Sequence, residues 1–510
     1  MSDSTLVRSV LLFFPLFPLI GNFLVLTAKY ALKRDISLFM VVSIILLQTA
    51  TGLLLIRSFA GTEGMYVTAV SEWQYSIVFA FDAYRTYFLA AYLIPLFFTL
   101  FRLHLLPGQN VRIIFLFYLA GCSGLLVTGD LFTFYVFYEV MIMAAYVLIG
   151  IKGKYYASIK YMIIGASSSA LFLAGVILLY ASGVYFDFGF AREATAYNEY
   201  NLHLVLLLFS TAFFVKGAFF PVSSWVSTCH SATNALISAF LSAFTIFTGI
   251  FGLYNLVLLP ADALGMTAIF DFLRLLAVVT MLVPALFLFF EPHLKRVIAG
   301  TTVFTIGFIG LMLSYRMYEV AFAYIVVHGL YKTLLFLLYD NLNYDETNQD
   351  ALVVSGSRKA LITAVLGIVF TTGFFPALTY FLKYQFVGSF DGYRLVVYVS
   401  MFLVLGAFFK FRYTVRPIRE GMLFYATFGV AFLLFYILFP FPFTRVGFTF
   451  LIDLTVMAAA ILTARRLFMA FSGLARLDTR FVFRNLNYEL LYLVLLFFGE
   501  MVYLQLVVFG

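Results

Sequence analysis

Charged side chains are scarce along this chain. Only 11% of its 510 residues are Asp, Glu, Lys or Arg, whereas 64% are hydrophobic and 20% are aromatic. A soluble domain carries about 25% charged residues, so this chain has too few to cover a water-facing surface of its own size. The composition therefore argues against a cytosolic enzyme, a disordered protein and a nucleic-acid binder.

Cysteine is scarce as well. Cys122 and Cys229 are the only two cysteines, and they are far apart and match no CxxC pattern. By themselves they cannot ligate an iron–sulfur cluster or a structural zinc. We therefore expect no cofactor in this chain and place any redox cofactor on other chains. Acidic metal-binding loop motifs, which a membrane-embedded transferase would need, are also missing.

Long apolar runs, in contrast, recur from one end of the sequence to the other. About sixteen runs of roughly 20 residues could each cross a bilayer as a helix. They cover 9–27, 36–56, 76–101, 111–128, 131–151, 158–185, 202–226, 232–258, 266–290, 294–314, 318–340, 360–386, 393–411, 421–439, 446–465 and 487–509. The first run lacks a small-residue cleavage site, so we expect it to be retained. The sequence predicts an all-α, multi-pass plasma-membrane protein with about 14–16 transmembrane helices, and its net charge of +8 fits basic cytoplasmic loops.

Two stretches of nearly equal length suggest an internal repeat. Spans four to eight and spans nine to thirteen each form a unit of about five helices, and an odd number gives the two units opposite topologies. Inverted repeats of this kind are typical of transporters. The predicted divisions are an N-terminal three-helix segment at 1–110, a first repeat at 111–258, a second repeat at 259–411 and C-terminal helices at 412–510.

The fourth span of each unit combines a lysine with a proline. Lys216 lies five residues before Pro221, and Lys383 lies seven residues after Pro376. Proline removes a helix hydrogen bond, so both spans are predicted to be broken near the membrane centre, where transporters bind ions. Lysines and prolines are also common near ordinary helix ends. The reversed order in the two units favours the functional interpretation.

Ionisable side chains within the predicted spans need a physical reason, because a charge at the bilayer centre costs about 2.5–3.5 kcal/mol on insertion scales. Glu139, Lys216, Lys332 and Lys383 are such residues, and His328 shares one helix face with Lys332, one turn away. At 4 Å and an effective dielectric constant of 20, a lysine and a carboxylate attract by about 4 kcal/mol. Moving the carboxylate would therefore load or unload a proton on the lysine. Each residue could instead form a structural ion pair or extend its charge to the interface.

Other ionisable residues give weaker signals. His230, between the seventh and eighth spans, could relay protons or be an ordinary loop histidine. Asp82 and Arg85 are three residues apart and are predicted to pair, while Asp130 is predicted to cap a helix. Glu500 lies in the last span, and the sequence identifies no partner for it.

Several motifs, taken in order, resemble those of one family. They read TGDLFTFYVFYEVM, KYMIIGASSSALFLAGV, FFVKGAFFPVSSWVSTCHSATNALISAFLS, HLKRVIAGTTVFTIGFIGLML, HGLYKTLLFLLY and GFFPALTYFLK. Over about residues 111–390 the chain is similar to the antiporter-like subunits of complex I and of multisubunit Mrp cation/proton antiporters. It is most similar to the Mrp D type, which also occurs in archaeal membrane-bound hydrogenases and related sulfane-sulfur reductases.

The resemblance implies two inverted five-helix half-channels joined by a polar axis through the membrane centre. It also implies that Glu139 modulates Lys216, that Lys332 with His328 is the central relay, and that Lys383 is the terminal exchange residue. The implied partners are other membrane subunits, including further antiporter-like subunits and a redox module, with lipid around them. The implied ion is the proton, with sodium a candidate elsewhere in the complex, and no nucleic acid is expected.

The sequence departs from the family pattern in its eighth span. The family usually carries a lysine or histidine there, and the matching position in ISAFLSAFTIFTGIF is Phe247. Thr228 stands where an aspartate usually precedes the loop histidine. The link from Lys216 to Lys332 would then depend on water, His230 or Thr245. Two alternatives stay open: a degenerate structural subunit without a complete proton path, and a stand-alone secondary transporter with a central cavity.

Overall fold

The structure is a computed structural model that describes most of the chain. It covers residues 3–59, 66–69, 77–181, 188, 199–340, 342–344, 352–373, 378–389, 391–416, 426, 429, 448–470 and 486–508. The predicted fourteenth span, 421–439, and Pro376 lie outside the described residues.

The N-terminal segment contains three long helices and a short hairpin. These are α1 (Asp3–Tyr30), α2 (Ser37–Phe59), β1 (Tyr66–Ala69), β2 (Val78–Phe81) and α3 (Ala83–Thr99). The two strands pair antiparallel, so the third predicted span, 76–101, begins as a strand rather than as a helix. The physical reason is Asp82, which has an extended backbone and accepts a hydrogen bond from the Arg85 amide. This N-cap fixes the start of α3.

Six helices follow in the region of the predicted first repeat. They are α4 (Gln109–Val127), α5 (Leu131–Gly150), α6 (Tyr155–Ala181), α7 (Glu199–Lys216), α8 (Ser224–Ala232) and α9 (Ala235–Ala263). The seventh predicted span is broken, because α7 ends at Lys216 and α8 begins only at Ser224. Pro221 lies in this break, and Ala218 has a left-handed backbone with φ of 56°. The predicted break at this proline is confirmed.

Helix α9 is irregular although most of its length is buried. Two π-helical segments, Leu241–Thr245 and Tyr254–Leu258, interrupt its α-helical hydrogen bonding. Such segments are rare and occur frequently at functional sites. They widen the helix where it crosses the interior of the bundle.

The region of the predicted second repeat also contains six helices. They are α10 (Thr267–Phe290), α11 (Leu294–Ser314), α12 (Tyr318–Tyr339), α13 (Arg358–Thr372), α14 (Leu378–Ser389) and α15 (Arg394–Phe409). Helix α13 ends at Gly373, whose φ of 67° is a left-handed conformation that glycine adopts at low cost. Because α14 starts at Leu378, the twelfth predicted span is divided into two helices as well.

A small sheet and two C-terminal helices complete the described fold. The elements are β3 (Asn343–Tyr344), β4 (Val353–Gly356), β5 (Arg412–Val415), α16 (Phe448–Ala470) and α17 (Leu486–Val508). Strand β4 pairs antiparallel with β3 and parallel with β5. The sheet therefore joins the connection that follows α12 to the one that follows α15.

Burial separates a central group of helices from an outer group. Helices α9, α11 and α12 are almost wholly covered by other helices, whereas α1, α2 and α17 expose broad apolar faces. Within the described ranges, 10 helices are long and apolar enough to cross a membrane. The predictions of an all-α, multi-pass membrane protein and of broken helices are confirmed. The inverted relation and the four-part division of the chain stay predictions.

Candidate functional site

The lysine at the end of α7 lies in the interior of the bundle. Lys216 Nζ donates a hydrogen bond to the Tyr161 hydroxyl of α6, at 3.0 Å. It also lies 5.2 Å from the ring centroid of Tyr138 and 5.1 Å from that of Tyr161. The negative faces of both rings attract an ammonium group. Because α7 stops at this lysine, its side chain stays in the middle of the bundle rather than at a surface.

A small cavity adjoins this lysine. Its lining residues are Tyr161, Ile164, Gly165, Ser168, Val215, Lys216 and Trp225. The Ser168 and Tyr138 hydroxyls lie 2.8 Å apart, so a second hydroxyl pair lies beside the ammonium group. The cavity is small and its wall is largely apolar, with Tyr161, Ser168 and Lys216 as its polar residues.

Glu139 follows Tyr138 on α5 but faces outwards in part. It is half-buried, close to the exposed side chains Val136 and Met143. Among the described residues its carboxylate forms no ion pair within 4 Å, although it is near enough to act on Lys216 through its charge. The predicted modulation of this lysine by Glu139 stays a prediction.

The central lysine is held by the neighbouring helix α11. Lys332 Nζ donates to the Ile298 carbonyl and to the Thr301 hydroxyl. One turn earlier on α12, the ring of His328 lies with Nδ1 2.8 Å from the Tyr331 hydroxyl. Lys332 and His328 therefore belong to one buried polar cluster, as their spacing predicted.

Two hydroxyl pairs involve the first π-helical segment of α9. Thr245 of α9 is hydrogen-bonded to Tyr118 of α4. Ser242, three residues earlier in the same π-helical segment, lies 2.8 Å from the Thr302 hydroxyl. Thr302 is adjacent to Thr301, which binds the central lysine. The sequence named Thr245 as one possible bridge but gave no sign of Ser242 or Tyr118.

Phe247 is the residue whose motif predicts that it stands where the family usually carries a basic side chain. Its ring meets the His328 ring edge-on, with centroids 5.0 Å apart. The apolar ring therefore packs against the histidine of the central cluster and cannot itself carry a proton.

His230 reaches the central cluster from α8. It is buried, and its ring stacks on Phe336 at a centroid distance of 4.7 Å. The same Phe336 ring lies 6.0 Å from Lys332 Nζ. In the described part of the chain, Nδ1 of His230 has no hydrogen-bond partner. Phe336 therefore contacts both His230 and the lysine of α12.

Lys383 has a direct acidic partner. Its Nζ lies 2.9 Å and 2.8 Å from the two carboxylate oxygens of Asp453 on α16. The rings of Tyr380 and Tyr398 lie 5.3 Å and 5.5 Å from the same nitrogen. Sequence reasoning missed Asp453. The one available signal was that it is the only acidic residue in the predicted span 446–465.

Two further predictions about polar residues can be judged. Asp82 and Arg85 form an ion pair at 3.4 Å, and Asp130 caps α5 by accepting a hydrogen bond from the Thr133 amide at 2.7 Å. Both are confirmed, and both are structural.

The described residues contain no group of three or more His, Cys, Asp or Glu side chains that could hold a metal ion. Cys122 and Cys229 are both buried free thiols. The expectation that this chain holds no cofactor stays a prediction.

The fold and the site together define a multi-pass helical membrane protein with buried ionisable groups beside broken helices. A sequence profile of the family described as "NADH:quinone oxidoreductase/Mrp antiporter, TM" matches residues 128–412. This is more than half of the chain, which therefore belongs to that family. The chain is an antiporter-like subunit of the complex I and Mrp type, as its motifs predicted.

Two similar proteins illustrate the breadth of the family. The D-type subunit of a Na⁺/H⁺ antiporter from Alkalihalophilus pseudofirmus is 28% identical over 342 residues, which cover 62% of this chain and 67% of that protein. The N-type subunit of an NADH-quinone oxidoreductase from Desulforudis audaxviator is 28% identical over 290 residues, 54% of this chain and 57% of that protein. The chain thus spans little more than half the length of the second relative.

Solved structures share the fold. A chain of the membrane-bound sulfane sulfur reductase, an archaeal respiratory membrane complex, matches with a TM-score of 0.75 at 20% identity, covering 90% of this chain and 99% of that chain. A chain of the Mrp complex from Dietzia sp. matches with a TM-score of 0.69 at 19% identity, covering 95% of this chain and all of that chain. Both neighbours are subunits of multisubunit membrane complexes.

Proposed function

We propose that this chain conducts protons through the membrane as one subunit of a larger ion-translocating complex. The observation that carries the proposal is the burial of three lysines, Lys216, Lys332 and Lys383, at three separate places in the bundle. Each has a polar partner that can share or accept a proton. Keeping a charge at such depth is costly, so each of these three lysines needs a physical reason, and a proton path supplies one.

The first step of the path lies around Lys216. Its hydrogen bond to Tyr161 gives its proton a hydroxyl to move towards, and a single water molecule in the small adjoining cavity would extend this link. Glu139, half-buried on α5 next to Tyr138, would change the proton affinity of the lysine whenever its own charge changes. No covalent chemistry is needed for such a transfer.

The middle of the path runs along the hydroxyls of α9. The Tyr118–Thr245 pair joins α9 to α4, and the Ser242–Thr302 pair joins α9 to α11, the helix that also binds Lys332. Hydroxyls both donate and accept hydrogen bonds, and together with water they can pass a proton along a chain. In this path the hydroxyls replace the basic side chain that the family usually carries at the position of Phe247.

The far end of the path is the pair of Lys383 and Asp453. A proton that arrives at this pair can leave when the ion pair opens, because separating the carboxylate from the lysine removes several kcal/mol of attraction. The partner subunits would supply the energy for this opening. The names of the relatives point to a redox module or to sodium exchange as the source, with no cofactor on this chain.

Proton movement in vesicles that contain the purified complex tests the proposal. Lys216→Ala and Lys332→Ala should each lower the rate of proton transfer by about 100-fold or more, as loss of a proton-transferring side chain does in enzymes. Lys154→Ala is the matched control, because Lys154 is an exposed lysine between α5 and α6. Wild-type rates in both interior variants would contradict proton conduction.

One observation favours a second candidate, a structural subunit without a complete path. The Phe247 ring fills the family's usual basic position and packs on His328. In that case both interior variants would retain the transport of the complex, and their only effect would be on assembly. The same experiment therefore separates the two functions.

A further inference from the structure

The C-terminal helix α17 carries two buried carboxylates on a surface helix. Glu489 and Glu500 are both buried, although only 22% of the apolar stretch of α17 is buried inside the structure. Leu496 and Leu504 share the same inward face, while Phe498 on the other face is exposed. The helix therefore directs its acidic residues into the bundle and its apolar side outwards.

Glu489 has an evident structural partner. It lies 3.1 Å from Lys160 Nζ of α6 and accepts a hydrogen bond from Ser224 at the start of α8. Lys160 in turn donates to Ser224 at 2.7 Å. This buried ion pair anchors one end of α17 and needs no further function.

Glu500 differs from Glu489 in its surroundings. It accepts hydrogen bonds from the hydroxyls of Ser210 and Thr211 on α7, the second at 3.0 Å. Across the described residues, no Lys, Arg or His nitrogen forms an ion pair with it within 4 Å. Two hydroxyls offset only part of the cost of burying a carboxylate. Ion pairing therefore does not account for this acid.

The position of Glu500 relates it to the first lysine. Thr211 and Lys216 lie on the same helix, about 7–8 Å apart along its axis at a rise of 1.5 Å per residue. The carbonyl of Ala212, the residue after Thr211, accepts a hydrogen bond from Ser168 at 2.8 Å. Ser168 lines the cavity that also contacts Lys216. Polar groups thus extend from the carboxylate towards the lysine.

We propose that Glu500 is a second proton-exchanging carboxylate of the first lysine site. It would pass protons to or from Lys216 through the Thr211 and Ser168 hydroxyls and water in the adjoining cavity. Each transfer breaks an O–H or N–H bond on one group as a new O–H or N–H bond forms on the next, and no electrons are exchanged. This inference rests on the proposed proton conduction, and it gives α17 a part in transport.

Glu500→Gln in the reconstituted complex is the main test. Glutamine keeps the size of the side chain and can still bond both hydroxyls, accepting from one and donating to the other, but it cannot exchange a proton. We expect normal assembly and a fall of about tenfold or more in proton transfer. Glu500→Asp, which still titrates, should restore part of the rate. A wild-type rate in Glu500→Gln would overturn the inference.

Glu489→Gln is the matched control on the same helix. It breaks the pair with Lys160, so it should lower the amount of assembled complex while each assembled complex transports at the wild-type rate. If Glu489→Gln and Glu500→Gln lowered transport per complex equally, the special role of Glu500 would be wrong.

Lys216→Ala separates failure of this inference from failure of the proposed function. Loss of transport in Lys216→Ala with full transport in Glu500→Gln would leave the lysine path intact and remove Glu500 from it. Full transport in both variants would reject proton conduction as a whole. Loss of transport in Glu500→Gln with full transport in Lys216→Ala would also overturn the inference, because the inferred role of Glu500 requires proton transfer through Lys216.

Chemical labelling covers the case in which Glu500→Gln does not assemble. A hydrophobic carbodiimide, which reacts with protonated carboxyl groups inside membranes, should modify Glu500 in the wild-type complex and block proton transfer. Mass spectrometry of the labelled chain locates the adduct. An adduct on Glu500 in complexes that still transport protons at the wild-type rate would contradict the inference.

Discussion

The lysines beside the two broken helices have different surroundings. Lys216 contacts a tyrosine hydroxyl, two aromatic rings and a cavity. Neither Glu139 nor Glu500 forms a direct ion pair with it. Lys383 is bound by both oxygens of Asp453 and has tyrosine rings around it. The same placement beside a helix break thus supports two kinds of chemistry.

This difference assigns a separate task to each end of the chain. A lysine that shares its proton with a hydroxyl or water can lose that proton without breaking an ion pair. A lysine in a buried ion pair is held more firmly, and removing its partner leaves an uncompensated charge. We therefore expect substitutions near Lys383 to affect stability first and substitutions near Lys216 to affect transport first.

The largest expected effect is that of Asp453→Asn. It leaves Lys383 buried without its counter-charge, and breaking a buried pair in this way costs about 3–5 kcal/mol. The thermal denaturation midpoint of the detergent-solubilised complex should fall accordingly. The double variant Lys383→Met with Asp453→Leu should recover most of the loss, since apolar replacement of both partners is often nearly neutral.

Glu139→Gln is the counterpart in the first site. Because Glu139 forms no ion pair within the described residues, its substitution should leave the denaturation midpoint within experimental error of the wild type. A loss of stability as large as that of Asp453→Asn would erase the difference between the two sites.

The next largest effect is expected for Tyr161→Phe. The substitution removes the hydroxyl that accepts a hydrogen bond from Lys216, and hydrogen bonds to charged groups contribute about 1.5–3 kcal/mol. We expect slower proton transfer with a shifted pH profile and unchanged assembly. Tyr155→Phe, at an exposed position on the same helix, should change neither the rate of proton transfer nor its pH profile. Equal pH profiles for wild type and Tyr161→Phe would argue against this hydroxyl in the path.

Thr245→Val probes the hydroxyl link between the lysines. It leaves the buried Tyr118 hydroxyl without its partner, which costs about 1–3 kcal/mol, and it interrupts the path. Proton transfer should fall. Thr248→Val is the control, because the Thr248 hydroxyl donates to the Thr245 carbonyl within its own helix. A similar fall in both variants would indicate a packing effect rather than a lost link.

The smallest effect is expected for Phe247→Leu. Its edge-on contact with His328 contributes about 0.5–1.5 kcal/mol beyond ordinary burial. Since the proposed path bypasses this ring, the rate of proton transfer should stay close to the wild-type value. A large change in rate would mean that the ring itself controls access to the central cluster.

Much of the fold followed from local features of the sequence. Apolar runs predicted the helices because a run of about 20 apolar residues is long enough to cross the bilayer as a helix. Pro221 predicted a helix break because proline lacks an amide hydrogen. The third predicted span, 76–101, was too long, because its first residues form strand β2 and α3 begins only at Ala83. Strand β2 and the helix that begins after Asp82 are both apolar, so hydropathy alone does not separate them.

The lysines of the site were recognised from their motifs, but their partners were not. Asp453 reaches Lys383 across 70 positions of sequence, and no spacing rule connects them. Ser210 and Thr211 reach Glu500 across a still longer separation. Serine and threonine are also common at ordinary helix contacts in membranes, so their presence in a span does not reveal a proton path.

A high-resolution cryo-electron microscopy map of the intact complex tests the central claim most directly. We expect ordered water to join the cavity at Lys216, the Tyr118–Thr245 pair and the Lys332 cluster into one connected series of hydrogen bonds. A gap between Thr245 and Thr301 that is filled by packed apolar side chains, with no water on either side of it, would contradict proton conduction through this chain.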